Sequence, residues 1–218
     1  IGESGLTILD VSQIQKRVAN PIVPIVSRLT WPEVSTPQNA TPFTRGGHKY
    51  LMEIDEFGSG ANIGAARMID IQDEKKPFVV SNIRLAVNMA KNQGAALESD
   101  QGNDQNQPFQ GYQGHYCSLP SRVDPNVIAC SFIMSGLRVF NIVNPAKPVE
   151  VAYFNKPVIE GTQANPTKAG SFAMSAPAYD EATNDIWYSD GNSGFYVVRL
   201  RPSAGVTSFA DTVVLPGN

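Results

Sequence analysis

One short segment recurs four times along the chain, and a recurring unit of this size restricts the fold more than any compositional average does. The copies are Gly5-Leu-Thr-Ile-Leu-Asp-Val11, Ala65-Ala-Arg-Met-Ile-Asp-Ile71, Gly136-Leu-Arg-Val-Phe-Asn-Ile142 and Gly194-Phe-Tyr-Val-Val-Arg-Leu200. Their starts lie 60, 71 and 58 residues apart. Each is a small residue followed by a β-rich run of strand length. The run is almost continuously apolar, which fits a strand covered on both faces. Six residues after Ile71 and Ile142 come Pro77 and Pro148, each opening a second β-rich run, and Pro24 does the same after an insertion through Gln13 to Asn20. A proline there presets the backbone of a turn and bars a helix.

Further runs complete the units. Two matched lead-ins, Gly47-His48 and Gly114-His115, precede apolar residues, and Ser121 to Asn126 is a turn cluster ahead of Val127-Ile-Ala-Cys-Ser-Phe-Ile133. The third unit therefore reads as four strands, near 115–120, 127–133, 136–142 and 148–154. The fourth reads as strands near 171–178, 185–190 and 194–200, with a turn at Asp180 to Asn184 and an outer strand at Thr212 to Leu215.

Composition agrees with many short strands. The 218 residues include 18 Gly and 16 Pro, with 42% hydrophobic and only 17% charged residues. That is enough apolar material for a packed core, so wholesale disorder is excluded. With 17 basic against 20 acidic residues the formal charge is −3, which gives no electrostatic grip on nucleic acid. No apolar run approaches the roughly 18 residues that a spanning helix needs.

Four antiparallel strands per unit, repeated at this spacing, predict an all-β fold: a β-propeller of radially packed four-stranded blades in one domain over 1–218. Blade segments fall at about 1–30, 47–86, 114–155 and 170–218, with long loops at 31–46, 87–113 and 156–169. The 87–113 loop has room for a short helix near Asn88 to Leu97. The first copy lacks two strands of its own unit, and the chain opens within a unit without Met or a signal peptide. About three and a half blades of a larger ring are thus expected here, with the remaining blades supplied by a missing or separate segment.

The glycine, the alternating aliphatics leading into Asp or Asn, and the Pro-initiated strand resemble the LVIVD-repeat proteins. The match is strongest at Gly114-His-Tyr-Cys117, Cys130 to Ile142 and Pro148-Val-Glu-Val-Ala-Tyr-Phe154. The resemblance implies an extracytoplasmic propeller of the bacterial type and carries over no catalytic residue.

Cys117 and Cys130 flank a hairpin centred inside the Ser121 to Asn126 turn. Directly opposed residues on antiparallel strands come within disulfide reach, so a bridge and a pair of buried thiols are both open, and a bridge places the chain in an oxidising compartment. The two histidines, His48 and His115, occupy matching places in the lead-ins. Two readings follow. They converge at a channel rim and share a transition metal such as copper or zinc with ligands from another blade, or each simply bonds backbone at a strand start. Glu53, Asp55 and Glu56 read either as Ca²⁺ ligands or as solvated turn carboxylates. Asn39-Ala-Thr41 matches a glycosylation acceptor. The long loops carry Trp31, Phe43, Phe109 and Tyr112, the expected contacts of a binding face. Two functions follow: an extracytoplasmic binding or scaffold module that recognises a protein partner, ligand or surface assembly through its long-loop face, or a metal-dependent propeller enzyme at the histidines. No cofactor is assigned.

Overall fold

The computed structural model describes residues 5–32, 35–57, 64–86, 112–156, 171–201 and 209. Among these, the chain forms thirteen strands and one short helix. They make four antiparallel sheets in chain order. The first sheet pairs β1 (Gly5–Leu9) with β2 (Ile25–Thr30). The insertion between them holds the helix α1 (Ser12–Gln15). The second sheet runs β3 (Ser35–Arg45), β4 (His48–Phe57), β5 (Gly64–Asp70), β6 (Phe78–Arg84). The third runs β7 (Tyr116–Ser118), β8 (Val127–Phe132), β9 (Gly136–Asn141), β10 (Val149–Phe154). The fourth runs β11 (Ala178–Asp180), β12 (Asp185–Asp190), β13 (Gly194–Arg199).

The four sequence copies are β1, β5, β9 and β13, the same strand of each successive unit. Their alternation explains why they are so apolar. Leu6 and Ile8 pack on the second sheet, Ala66 and Met68 on the third, and Leu137 and Val139 on the fourth. The second and fourth positions of the repeat therefore always face the following sheet. The odd positions Ile69, Phe140 and Val198 face the preceding one. β8 has the same property: Ile128, Cys130 and Phe132 join the cluster with the second sheet, and Val127 and Ala129 the cluster with the fourth. All six of its residues are buried, as expected of a strand covered on both faces.

The contact between sheets repeats as well. Ser27 on β2, paired with Ile8, donates to the carbonyl of Glu74 in the β5–β6 turn (2.6 Å). Ser81 on β6, paired with Met68, donates to the carbonyl of Pro145 in the β9–β10 turn (2.5 Å). These turns are built alike: Gln72 N and Lys75 N donate to the side chains of Asp70 and Asp73, and Val143 N and Ala146 N to those of Asn141 and Asn144. Short polar side chains that bond the backbone two residues on are natural turn formers. Gly136 opens β9 at φ 74°, a left-handed conformation that suits glycine. A Cβ there would also lie 2.4 Å from the carbonyl of Phe154.

One expectation is corrected. Residues 31–46 do not form a loop: 35–45 is β3, joined to β4 through the two left-handed glycines Gly46 and Gly47. Pro37 and Pro42 hid this strand, yet β3 lies at a sheet edge, where a residue without an N–H is tolerated, and the ladder shifts register between Pro37 and Asn39. The helix expected near Asn88 to Leu97, most of the connections 87–113 and 156–169, and the strand expected at Thr212 to Leu215 lie outside the described residues.

Candidate binding site along the β3 and β7 edges

β3 and β7 are the corresponding edge strands of the second and third sheets. Their edges are tied together where Thr44 N donates to the carbonyl of Arg122 and Asp124 N to that of Thr44 (both 2.9 Å). Arg45 adds a clamp, its guanidinium donating to Asn126 Oδ1 (3.1 Å) and the carbonyl of Val143 (3.2 Å). Beside this tie is a cleft of about 320 Å³, lined by Asn39 and Thr41 of β3 and by Ser118, Leu119, Ser121 and Arg122 of the β7–β8 hairpin. Among the described residues, its polar lining is a carboxamide, hydroxyls and one guanidinium, with no carboxylate.

The hairpin itself is stapled. Cys117 and Cys130 are direct ladder partners and form a disulfide with Cα atoms 4.0 Å apart. The hairpin centre read from the sequence therefore located the bridge correctly. Tyr179 of the fourth sheet reaches the next pair, Ser118 and Ala129. Its hydroxyl donates to the carbonyl of Ser118 and accepts from Ala129 N (2.7 Å). Burial raises the pKa of the phenol, so it stays a donor.

His115 precedes β7. Gly114 makes the approach possible: a Cβ there would sit 2.1 Å from that of Ala65, and Gly114 N donates to the carbonyl of Gly64 (3.0 Å). His115 Nδ1 donates to the carbonyl of Met174 (2.6 Å), which fixes the ring and turns Nε2 toward Glu56 Oε1 at 3.3 Å. The Glu56 carboxyl is raised by burial, an effect opposed by His115 and by a hydrogen bond from Gln38. This pair links the second, third and fourth sheets at one point.

A second polar cluster lies on the opposite face of β4. Arg67, fully buried, donates to Glu53 Oε2 (3.1 Å) and Asp55 Oδ1 (2.6 Å), and both carboxylates are also fully buried. The ring of Trp31 covers the guanidinium at 4.3 Å, a favourable stack for a desolvated cation. The two acids share this one guanidinium in a dry place. Burial first, then repulsion from Asp55, pushes Glu53 up to about 8 despite the pull of Arg67. Among the described residues, Glu53 Oε1 and Trp31 Nε1 have no hydrogen-bond partner.

The structure relocates several residues singled out in the sequence. His48 and His115 are not equivalent: His48 opens β4, whereas His115 precedes β7 and meets the far end of β4 at Glu56. Eight residues of strand separate these contacts by roughly 26 Å, so the two imidazoles do not converge on one ion. His48 instead donates to Asp70 Oδ2 (2.6 Å). No group of three or more His, Cys, Asp or Glu suited to a metal is found among the described residues. Glu53 and Asp55 are neither solvated nor free to hold Ca²⁺, because Arg67 occupies them. Trp31 and Phe43 are core residues, Phe43 stacking on Tyr50 at 5.4 Å, and offer no recognition surface. Tyr112 is half-buried, and Phe109 lies outside the described residues. Asn39 is exposed, and its side chain accepts from Ala40 N (2.7 Å). Sequence reasoning missed Arg67, whose central place in the repeat between apolar neighbours was the available signal, and the Arg122 cleft, which no local pattern announces.

No protein-family model matches the chain, and no curated protein matches it. No helix among the described residues is long and apolar enough to cross a membrane.

Proposed function

We propose that the chain is a sector of a β-propeller of the LVIVD-repeat type, acting outside the cytoplasm as a binding or scaffold module. The recurring Ser27–Glu74 and Ser81–Pro145 bonds support the ring: the same step relates the first sheet to the second and the second to the third, and a step repeated at constant geometry leads round an axis. The disulfide supports an oxidising compartment.

Binding is assigned to the cleft between β3 and the β7–β8 hairpin. The observation that carries it is the lining by described residues, hydroxyl and amide groups around one cation with no acid among them. Such a set suits a small hydroxylated carboxylate, offered either as a free ligand or by a partner surface. Titration with glucuronate, using glucose as the neutral counterpart and following backbone amide shifts, tests it. Saturable shifts are expected at Asn39, Thr41 and Ser118 to Arg122 with glucuronate, weakened at least tenfold in Arg122→Ala. No saturable shift, or equal binding by the variant, overturns the assignment. Among the described residues, metal chemistry at His115 would draw on Glu56 and not on His48; elemental analysis of the intact protein before and after His115→Ala reads it directly.

A further inference from the structure

The repeat assigns a job to residues at the two ends of the stack. In the first three sheets the second and fourth repeat positions pack on the sheet that follows. In the fourth sheet those positions are Phe195 and Val197, and they are 63% and 54% exposed. Trp187, the ladder partner of Val197, is 42% exposed and its ring lies 6.3 Å from that of Phe195. Their neighbours Tyr196 and Val198 point the other way, onto the third sheet. The bidentate Arg199–Asp185 pair bounds the apolar stripe at one end. Residues that are core in three units are thus surface in the fourth.

The first sheet shows the opposite half. Odd repeat positions face the preceding sheet in the later units, and here alternation turns Thr7 and Leu9 away from the second sheet. Leu9 and its ladder partner Ile25 are 46% and 49% exposed. One chain therefore carries both halves of a sheet-to-sheet joint, and among the described residues nothing covers either half. Exposed contiguous aromatic and aliphatic surface of this kind marks an interaction site.

We infer that a second copy of the chain covers both: the Trp187, Phe195 and Val197 face of one copy seats on the Thr7, Leu9 and Ile25 face of the other, head to tail. Two copies joined twice close a ring of eight sheets by a two-fold operation, which leaves no face open. The inference rests on the ring reading above but not on the ligand cleft, which belongs to a different edge.

Sedimentation equilibrium of the full chain across 1–100 µM is the test, alone and with two surface variants, Phe195→Lys and Leu9→Lys. Both residues are exposed, so folding is preserved, and an unchanged thermal transition checks it. Wild type is expected at twice the chain mass, and each variant at the single mass with at least a tenfold weaker association. A mixture of the two variants keeps one intact joint and is expected to recover a heterodimer. Wild type remaining monomeric at 100 µM overturns the joint. So does loss of association in Phe195→Lys alone, which means a face-to-face dimer through the fourth sheet. The cleft titration is read on Arg122→Ala whatever the mass, so the two readings fail separately.

Discussion

β4 and β8 hold the same place in the second and third sheets, yet they are stabilised by different physics. β8 is apolar throughout its buried length except for Ser131, and is cross-linked to β7 by the disulfide. β4 buries Met52 and Ile54 on one face and, on the other, the carboxylates of Glu53 and Asp55 around Arg67. Transfer from water and close packing stabilise the first at any pH. The second depends on keeping three desolvated ionisable groups paired, an arrangement whose desolvation cost cancels much of its Coulombic gain. A repeat can thus preserve a geometry while exchanging the interactions that hold it.

The sharpest way to break the contrast is to remove one member from each strand. Arg67→Ala takes the guanidinium away from the buried Glu53 and Asp55 carboxyls and is expected to cost about 3–5 kcal/mol, while Phe132→Ala, which opens a cavity, costs a similar amount. Denaturant unfolding at several pH values separates them: the Arg67→Ala loss varies with pH, because the variant removes a charge from among ionisable groups, whereas the Phe132→Ala loss does not. If both losses are flat with pH, the two strands do not differ as described.

Reduction of the Cys117–Cys130 bridge, or Cys117→Ser with Cys130→Ser, comes next. The bridge closes a loop of sequence separation 13, worth about 3 kcal/mol through its constraint on the unfolded chain. The loss should appear in thermal unfolding with and without reductant.

Glu53 gives an effect whose sign is set by pH. Its native pKa is near 8 against an ordinary 4.5, so the folded chain holds a proton that the unfolded chain releases between those values. Stability from this group is full below about pH 4.5, declines as pH rises, and is lost above about 8, by at most about 1.4 kcal/mol per pH unit. Melting at pH 5.5 and 8.5 should show the decline in wild type, and Glu53→Gln should flatten it. The smallest change is His48→Ala: its partner is Asp70, but the imidazole is 40% exposed, and a loss of under about 1 kcal/mol is expected.

What the sequence made legible follows from the same physics. β5 and β9 are covered on both faces and leave a run of apolar residues after a small one; β1 and β13 carry the same run although one face of each is exposed, so all four stood out, and the hairpin symmetry about Ser121 to Asn126 placed Cys117 opposite Cys130. β3 did not stand out because Ser35 to Arg45 is polar and carries two prolines, features an edge strand tolerates. The likeness of Gly47-His48 to Gly114-His115 was a coincidence of dipeptides, since one opens the second strand of its unit and the other precedes the first. The Arg67 cluster was invisible for a different reason: Glu53 and Asp55 read as surface acids until β5 placed a guanidinium directly across the ladder from Glu53.

Thiol labelling at one repeat position tests the sheet-to-sheet register most directly. In single variants Ile8→Cys, Met68→Cys, Val139→Cys and Val197→Cys, with the native disulfide left oxidised, alkylation rates are compared at a dilution that keeps the chain monomeric. Residues 68 and 139 should be protected, residue 8 slow and residue 197 close to the unfolded rate. Fast labelling at 68 or 139, or protection at 197 equal to theirs, would contradict a stack in which every copy of the repeat faces the sheet that follows it.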